Sequence, residues 1–227
     1  MPNWCSTNIA FYSENKEQLE AFHKKVLEIQ NGNATQENDF GKGWLGDYAN
    51  TFYPEIGAIN IECRGTANDI SDIEKIVDKY NYFYMYTFTA WTAKIGLFYK
   101  ITKDFYPDIK IAFVSDEPGC EYYCKWDDEG LFWPEDYCLD ICYPDAEGET
   151  EYGEDHEYST LKDAYEWLDE HLPFKVEFCD DEQELENRIN IKMEEYAEKQ
   201  GLDGGEYFCV LAKYYKMHPS DFSFNFQ

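Results

Sequence analysis

Apolar residues along this chain recur either every second position or at helical spacing, and the change from one period to the other predicts the elements. Residues 3–13 carry Trp4, Cys5, Ile9, Phe11 and Tyr12 in an imperfect alternation, which reads as a strand. Leu19, Phe22, Val26 and Ile29 follow at helical spacing, with Glu14-Asn15 as a cap and Asn31-Gly32 as a stop. Ile59 and Ile61 mark a second strand over 56–63, and Ile70, Ile73, Ile76 and Val77 place a short helix over 69–80. Residues 82–91 form a strand apolar on both faces, with Tyr82, Tyr84, Tyr86 and Phe88 on one and Phe83, Met85 and Trp91 on the other. Such a strand is expected to be central and covered on both sides. A helix over 93–105, with Leu97, Phe98 and Ile101 inward, and a strand over 108–115 complete the unit. The order is that of an α+β, ferredoxin-like split βαβ layer with one extra helix, and the expected first domain is residues 1–116. The polar connection 31–54 holds Trp44-Leu45-Gly46, read as an anchor packed on the body.

Residues 117–227 read as an appended acidic α+β region packed on that layer. Strands are expected over 119–126 and 137–143, as a hairpin, and over 174–178. Helices are expected over 159–172, over 181–200 with Gly201 as stop, and over 206–217. The tail 222–226 alternates like a strand.

Charge changes the picture more than composition does. The chain has a formal net charge of −28. Residues 1–114 hold 15 acids and 11 bases, whereas 115–227 hold 32 acids and 8 bases. Within 116–157 Lys125 stands alone against 16 acids. Such a surface repels nucleic acid and attracts cations and basic proteins. With Tyr 20, Phe 16 and Trp 6 the chain is not a disordered polyanion. No stretch of about 18 apolar residues is present, so no membrane span is expected. The opening Met1-Pro2-Asn3-Trp4 has neither a basic segment nor an apolar core, so the cytoplasm is the expected compartment.

Motifs for chemistry are sparse. Cys120-x₃-Cys124 and Cys138-x₃-Cys142 invite a zinc reading, but cysteines four apart on one strand lie roughly 13 Å apart. Reduced, buried thiols are expected instead. The alternating acids Asp145, Glu147, Glu149 and Glu151 lack the glycine and closing glutamate of a calcium loop. His23, His156, His171 and His218 are scattered, and no nucleophile elbow, H-E-x-x-H or P-loop occurs. No enzyme and no cofactor are expected. The tyrosines of 82–88 could serve as an RNA-stacking platform, but the charge argues for core packing.

Met1-Pro2-Asn3-Trp4-Cys5-Ser6-x-Asn8, Phe88-Thr89-Ala90-Trp91, Phe105-Tyr106-Pro107-Asp108-Ile109 and Glu117-Pro118-Gly119 together resemble the YubB ferredoxin-like (Api92-like) family over about residues 1–130. Thr92-Ala93-Lys94 stands where that family has prolines, and Tyr106 is inserted into its Phe-Pro pair. The resemblance implies a fold and an origin on plasmids, phages or integrated elements. It implies no reaction and supplies no catalytic residue.

The expected function is that of a non-enzymatic mobile-element interaction protein that inhibits a host nucleic-acid-binding defence protein. The partner is a basic host protein such as a nuclease or CRISPR effector, without direct contact to nucleic acid or membrane. Asp116, Glu117, Glu121, Asp127, Asp128, Glu129, Glu135 and Asp136 would stand in for phosphates, with Trp133 and Tyr137 as apolar anchors. The alternatives are a self-associating structural or regulatory protein and an enzyme with an undetected site.

Overall fold

The computed structural model describes residues 3–32, 40–55, 63–144, 150–152, 156–202 and 207–222. The chain is α+β and forms two compact units, one of residues 1–133 with 215–227 and one of residues 134–214. The expected boundary at 116 falls inside the first unit, because the strand after it pairs with the strand before it.

In the first unit β1 (Trp4–Ser13) leads into α1 (Lys16–Asn31) and α2 (Leu45–Phe52). Then come β2 (Gly65–Ile70), β3 (Glu74–Ile76), β4 (Tyr80–Ala90), α3 (Ile95–Phe105), β5 (Lys110–Glu117) and β6 (Tyr122–Trp126). β1 is central, antiparallel to β4 on one side and β5 on the other. β2 and β3 add outside β4, and β6 adds outside β5. β1, β2, β4 and β5 thus lie in the order β5-β1-β4-β2, every neighbour antiparallel. Each strand–helix–strand passage skips one strand.

The pleat decides what each face carries. Cys5, Ile9 and Phe11 on β1, Phe83 and Met85 on β4, and Ile111 and Phe113 on β5 turn to one side. There they meet Leu19, Phe22 and Val26 of α1, Leu45 and Tyr48 of α2, and Leu97, Phe98 and Ile101 of α3. Phe11 is the hub, with Phe83 stacked at 5.1 Å and Phe22 and Phe98 edge-on at 5.0 and 5.8 Å. Each buried ring contributes about 1.5–3 kcal/mol by leaving water. Asn15 caps α1 by accepting from the Gln18 N–H at 3.1 Å. Trp44 is buried as the expected anchor, and a Cβ on Gly46 would overlap its indole.

The helix expected over 69–80 is β2, a turn and β3 instead. Asp69 and Val77 both hold a φ of 42°, outside helical space. Ser71 also exchanges hydrogen bonds with Tyr84, its N–H donating to the Tyr84 carbonyl and its Oγ accepting from the Tyr84 N–H. Isoleucines three apart imitate a helical stripe, but their β-branched side chains suit an edge strand. The strand expected over 56–63 lies outside the described residues except Cys63, as do positions 223–226 of the tail.

In the second unit β7 (Tyr137–Pro144) is the hub strand. It is followed by β8 (Thr150–Tyr152), β9 (His156–Tyr158), α4 (Leu161–His171), α5 (Glu182–Gln200) and β10 (Phe208–Lys213). β7 pairs antiparallel with β10, β8 and β9. Thr160 and Asp181 cap α4 and α5, and Gly201 at φ 67° ends α5. Leu168, Leu185, Ile189 and Met193 pack on Leu139, Ile141, Cys209 and Leu211.

Three more expectations change here. β6 and the 137–143 strand do not form a hairpin; they belong to different sheets. The helix expected over 206–217 is β10, followed by β11 (Tyr215–Lys216), which returns to pair parallel with β6. Cys209 and Leu211 are buried while Phe208 is exposed, a period of two. Residues 174–178 have no strand partner among the described residues; Phe174, Val176 and Phe178 pack on the second core.

α5 also protects the outer edge of β10. The Asn190 amide takes both backbone groups of Cys209, donating to its carbonyl at 2.9 Å and accepting from its N–H at 2.8 Å. Glu186 accepts from the Leu211 N–H at 2.9 Å. Side chains replace a neighbouring strand, which closes an edge otherwise open to pairing.

Candidate functional site

The ten expected partner-binding residues are divided between the two units. Asp116, Glu117, Glu121, Asp127, Asp128, Glu129 and Trp133 lie in the first unit, and Glu135, Asp136 and Tyr137 in the second. Most of the first group hold the fold. Asp127 Oδ2 accepts from the Phe132 and Trp133 N–H groups at 2.7 and 2.9 Å, which closes the loop after β6. Glu129 accepts from Lys110 Nζ at 2.6 Å and from the Tyr80 hydroxyl at 3.0 Å. Those donors, Lys110 foremost, hold its carboxyl below the usual glutamate range. Glu117 is buried and accepts from the Gly119 N–H at 3.1 Å. Asp116 accepts from the Ser6 hydroxyl at 3.2 Å. Glu121 is exposed in the left-handed region at the end of a short 3-10 turn.

Trp133 is an anchor, but for this chain's own sheet. Phe132 and Trp133 lie against the face of β1 and β4 that the helices leave uncovered. Phe132 is 5.3 Å from both Tyr12 and Tyr82, and Trp133 is 5.9 Å from Tyr84. The core packing expected for Tyr82, Tyr84, Tyr86 and Phe88 holds for Tyr82 and Tyr84, which pack against a smaller core of Ala10, Tyr12, Tyr80 and Ala112, and fails for Phe88. All four face away from the helices, Tyr82 and Tyr84 half-buried beneath the loop, and Phe88 exposed but stacked on Trp4 at 5.0 Å.

Of the expected carboxylates, Asp128 is exposed and makes no hydrogen bond or ion pair among the described residues. It lines a notch of about 230 Å³ with Tyr12, Tyr99, Lys110, Trp126 and His218. His218 was one of four scattered histidines in the sequence; its signal was His218-Pro219-Ser220-Asp221, a capping sequence.

Cys124, Cys138 and Cys142 are buried, as expected, but Cys120 is exposed. Burial pushes the Cys5 thiol up to about 11 and the Cys124 thiol up to about 12, the opposite of an activated nucleophile. Cys124 and the Cys138/Cys142 pair lie in different sheets, and no group of metal-ligating side chains converges among the described residues. His23 and His171 each bond a backbone carbonyl at 2.8 Å, those of Ser71 and Trp167.

The unspent acid lies elsewhere. Residues 134–214 contain 25 acids and 6 bases. Lys162, Lys175, Arg188 and Lys192 pair with Glu166, Asp169, Glu184 and Glu195. Glu170, Asp180, Glu194 and Glu198 are exposed with no ion pair among the described residues.

No protein-family model matches the chain, and no curated protein or solved structure matches it either.

Proposed function

We propose that the chain is a non-enzymatic interaction protein whose second unit presents carboxylates to a basic, nucleic-acid-binding surface of a partner. The observation that carries this reading is the surplus of acid on residues 134–214, 25 acids against 6 bases, with Glu170, Asp180, Glu194 and Glu198 exposed and without an ion pair among the described residues. Carboxylates spaced along α4 and α5 compete with phosphates for lysine and arginine, while the like charge keeps nucleic acid away. The resemblance at the N-terminus gives the reading its concrete form: a protein of a plasmid, phage or integrated element that inhibits a host defence nuclease in the cytoplasm. The strand order β5-β1-β4-β2 supports the ferredoxin-like assignment of the first unit. No helix among the described residues is long and apolar enough to cross a membrane.

The test is competition. A purified guide-bound nuclease is titrated with target DNA in the presence of the protein. DNA binding should be suppressed at about 50 mM salt and restored by about 200 mM. Suppression unaffected by salt, or none with any nuclease of a representative panel, would refute the reading.

A further inference from the structure

The notch beside Asp128 lies at the edge of the first sheet, where β6 ends before β5 does. Three aromatic side chains line it, Tyr12, Tyr99 and Trp126, beside Ile109, Ile111 and Lys110. His218 stands perpendicular to two of them, 4.7 Å from Trp126 and 5.7 Å from Tyr99 between ring centroids. The segment bearing it is held from three directions. The Met217 N–H donates to the Lys125 carbonyl, the His218 N–H to Asp221, and the Ser220 N–H to His218 Nδ1. A backbone N–H can only donate, so Nδ1 keeps its lone pair and the ring hydrogen lies on Nε2.

Ammonium groups already sit on these rings. Lys110 Nζ is 5.9 Å from the Tyr12 centroid, and Lys103 Nζ is 5.8 Å from that of Tyr99. Lys110 is paired with Glu129, and Asp128 on the rim makes no ion pair among the described residues. Aromatic faces beside a free carboxylate favour a cation over a neutral or anionic group. We propose that the notch receives a cationic side chain, lysine or arginine, from a partner protein. This rests on the reading of the chain as a ligand of basic surfaces and adds to it a seat for one basic residue.

The test titrates the full chain with Nα-acetyl-arginine amide and, at matched ionic strength, with its neutral isostere Nα-acetyl-citrulline amide. The Trp126 indole and His218 ring resonances report binding. The arginine compound should give saturable shifts and bind about threefold to fivefold tighter than the citrulline compound. Asp128→Asn should remove that preference while leaving resonances elsewhere unchanged. Equal binding of the two compounds, shifts only outside the notch, or an unaltered preference in Asp128→Asn would overturn the proposal. Nuclease competition that persists when the arginine compound does not bind removes the notch alone. Arginine binding without competition removes the wider reading alone.

Discussion

The two units hold acid in opposite ways. In the first, most acids of residues 116–133 are engaged by their own chain, Asp127 closing a loop, Glu129 pairing with Lys110 and Glu117 buried, while Glu121 and Asp128 stay exposed. In the second, carboxylates along two capped helices face solvent, and four bases are already engaged. Acid density along a sequence therefore does not locate an acidic surface. What locates it is whether backbone N–H groups or lysines lie within reach of each carboxylate.

The sharpest way to break this contrast is to remove one acid from each unit. Asp127→Ala strips the acceptor from two backbone N–H groups and should cost about 3 kcal/mol in urea unfolding. Glu198→Ala should change stability by less than about 0.5 kcal/mol. Similar costs for both would dissolve the distinction.

Next in size is Asn190→Ala. It exposes the Cys209 N–H and carbonyl at the sheet edge and should cost about 1–2 kcal/mol, with faster hydrogen exchange at the Cys209 amide. Unchanged exchange there would mean that α5 does not guard the edge.

Thiol chemistry separates exposed from buried sulfur. In native protein at pH 8 Cys120 should be alkylated well before Cys5 and Cys124, whose thiols stay protonated. Cys120 itself should lag behind a free thiol, because its hydrogen bond to Glu117 raises it. Mass spectrometry of the labelled chain reads the order directly.

A smaller effect than that of Asn190→Ala belongs to Glu129→Gln. The Lys110–Glu129 pair is partly exposed and should contribute no more than about 1 kcal/mol. Because the folded-state carboxyl is held below the usual range, its contribution is complete above that range and fades as the pH falls through the folded value. The variant should therefore lose less stability than wild type on acidification.

Much of the fold was legible because pattern and caps agreed. β1, β4 and β5 carry long alternations, and α1, α4 and α5 carry stripes closed by Asn15, Thr160, Asp181 and Gly201. The errors have physical causes. Isoleucines at 70, 73 and 76 imitate a helical stripe but fall in β2, the turn after it and β3, and the positive φ at Asp69 and Val77 excludes the helix. Alternation in 122–126 and 137–143 defines faces but not neighbours, so nothing local says that β6 pairs with β5 rather than β7. The candidate site was less legible still. Which carboxylates would be consumed depended on loop closure, and the notch draws Tyr12, Trp126 and His218 from distant parts of the chain.

The claim that the second unit is the working surface is tested by binding to an immobilised arginine-rich peptide at low salt, with two matched variants. Glu170→Gln, Asp180→Asn, Glu194→Gln and Glu198→Gln together should weaken binding about tenfold, which is about 1.4 kcal/mol, and flatten its salt dependence. Asp116→Asn with Glu129→Gln should leave affinity within about twofold. Equal weakening by both sets, or no weakening by the first, would contradict it.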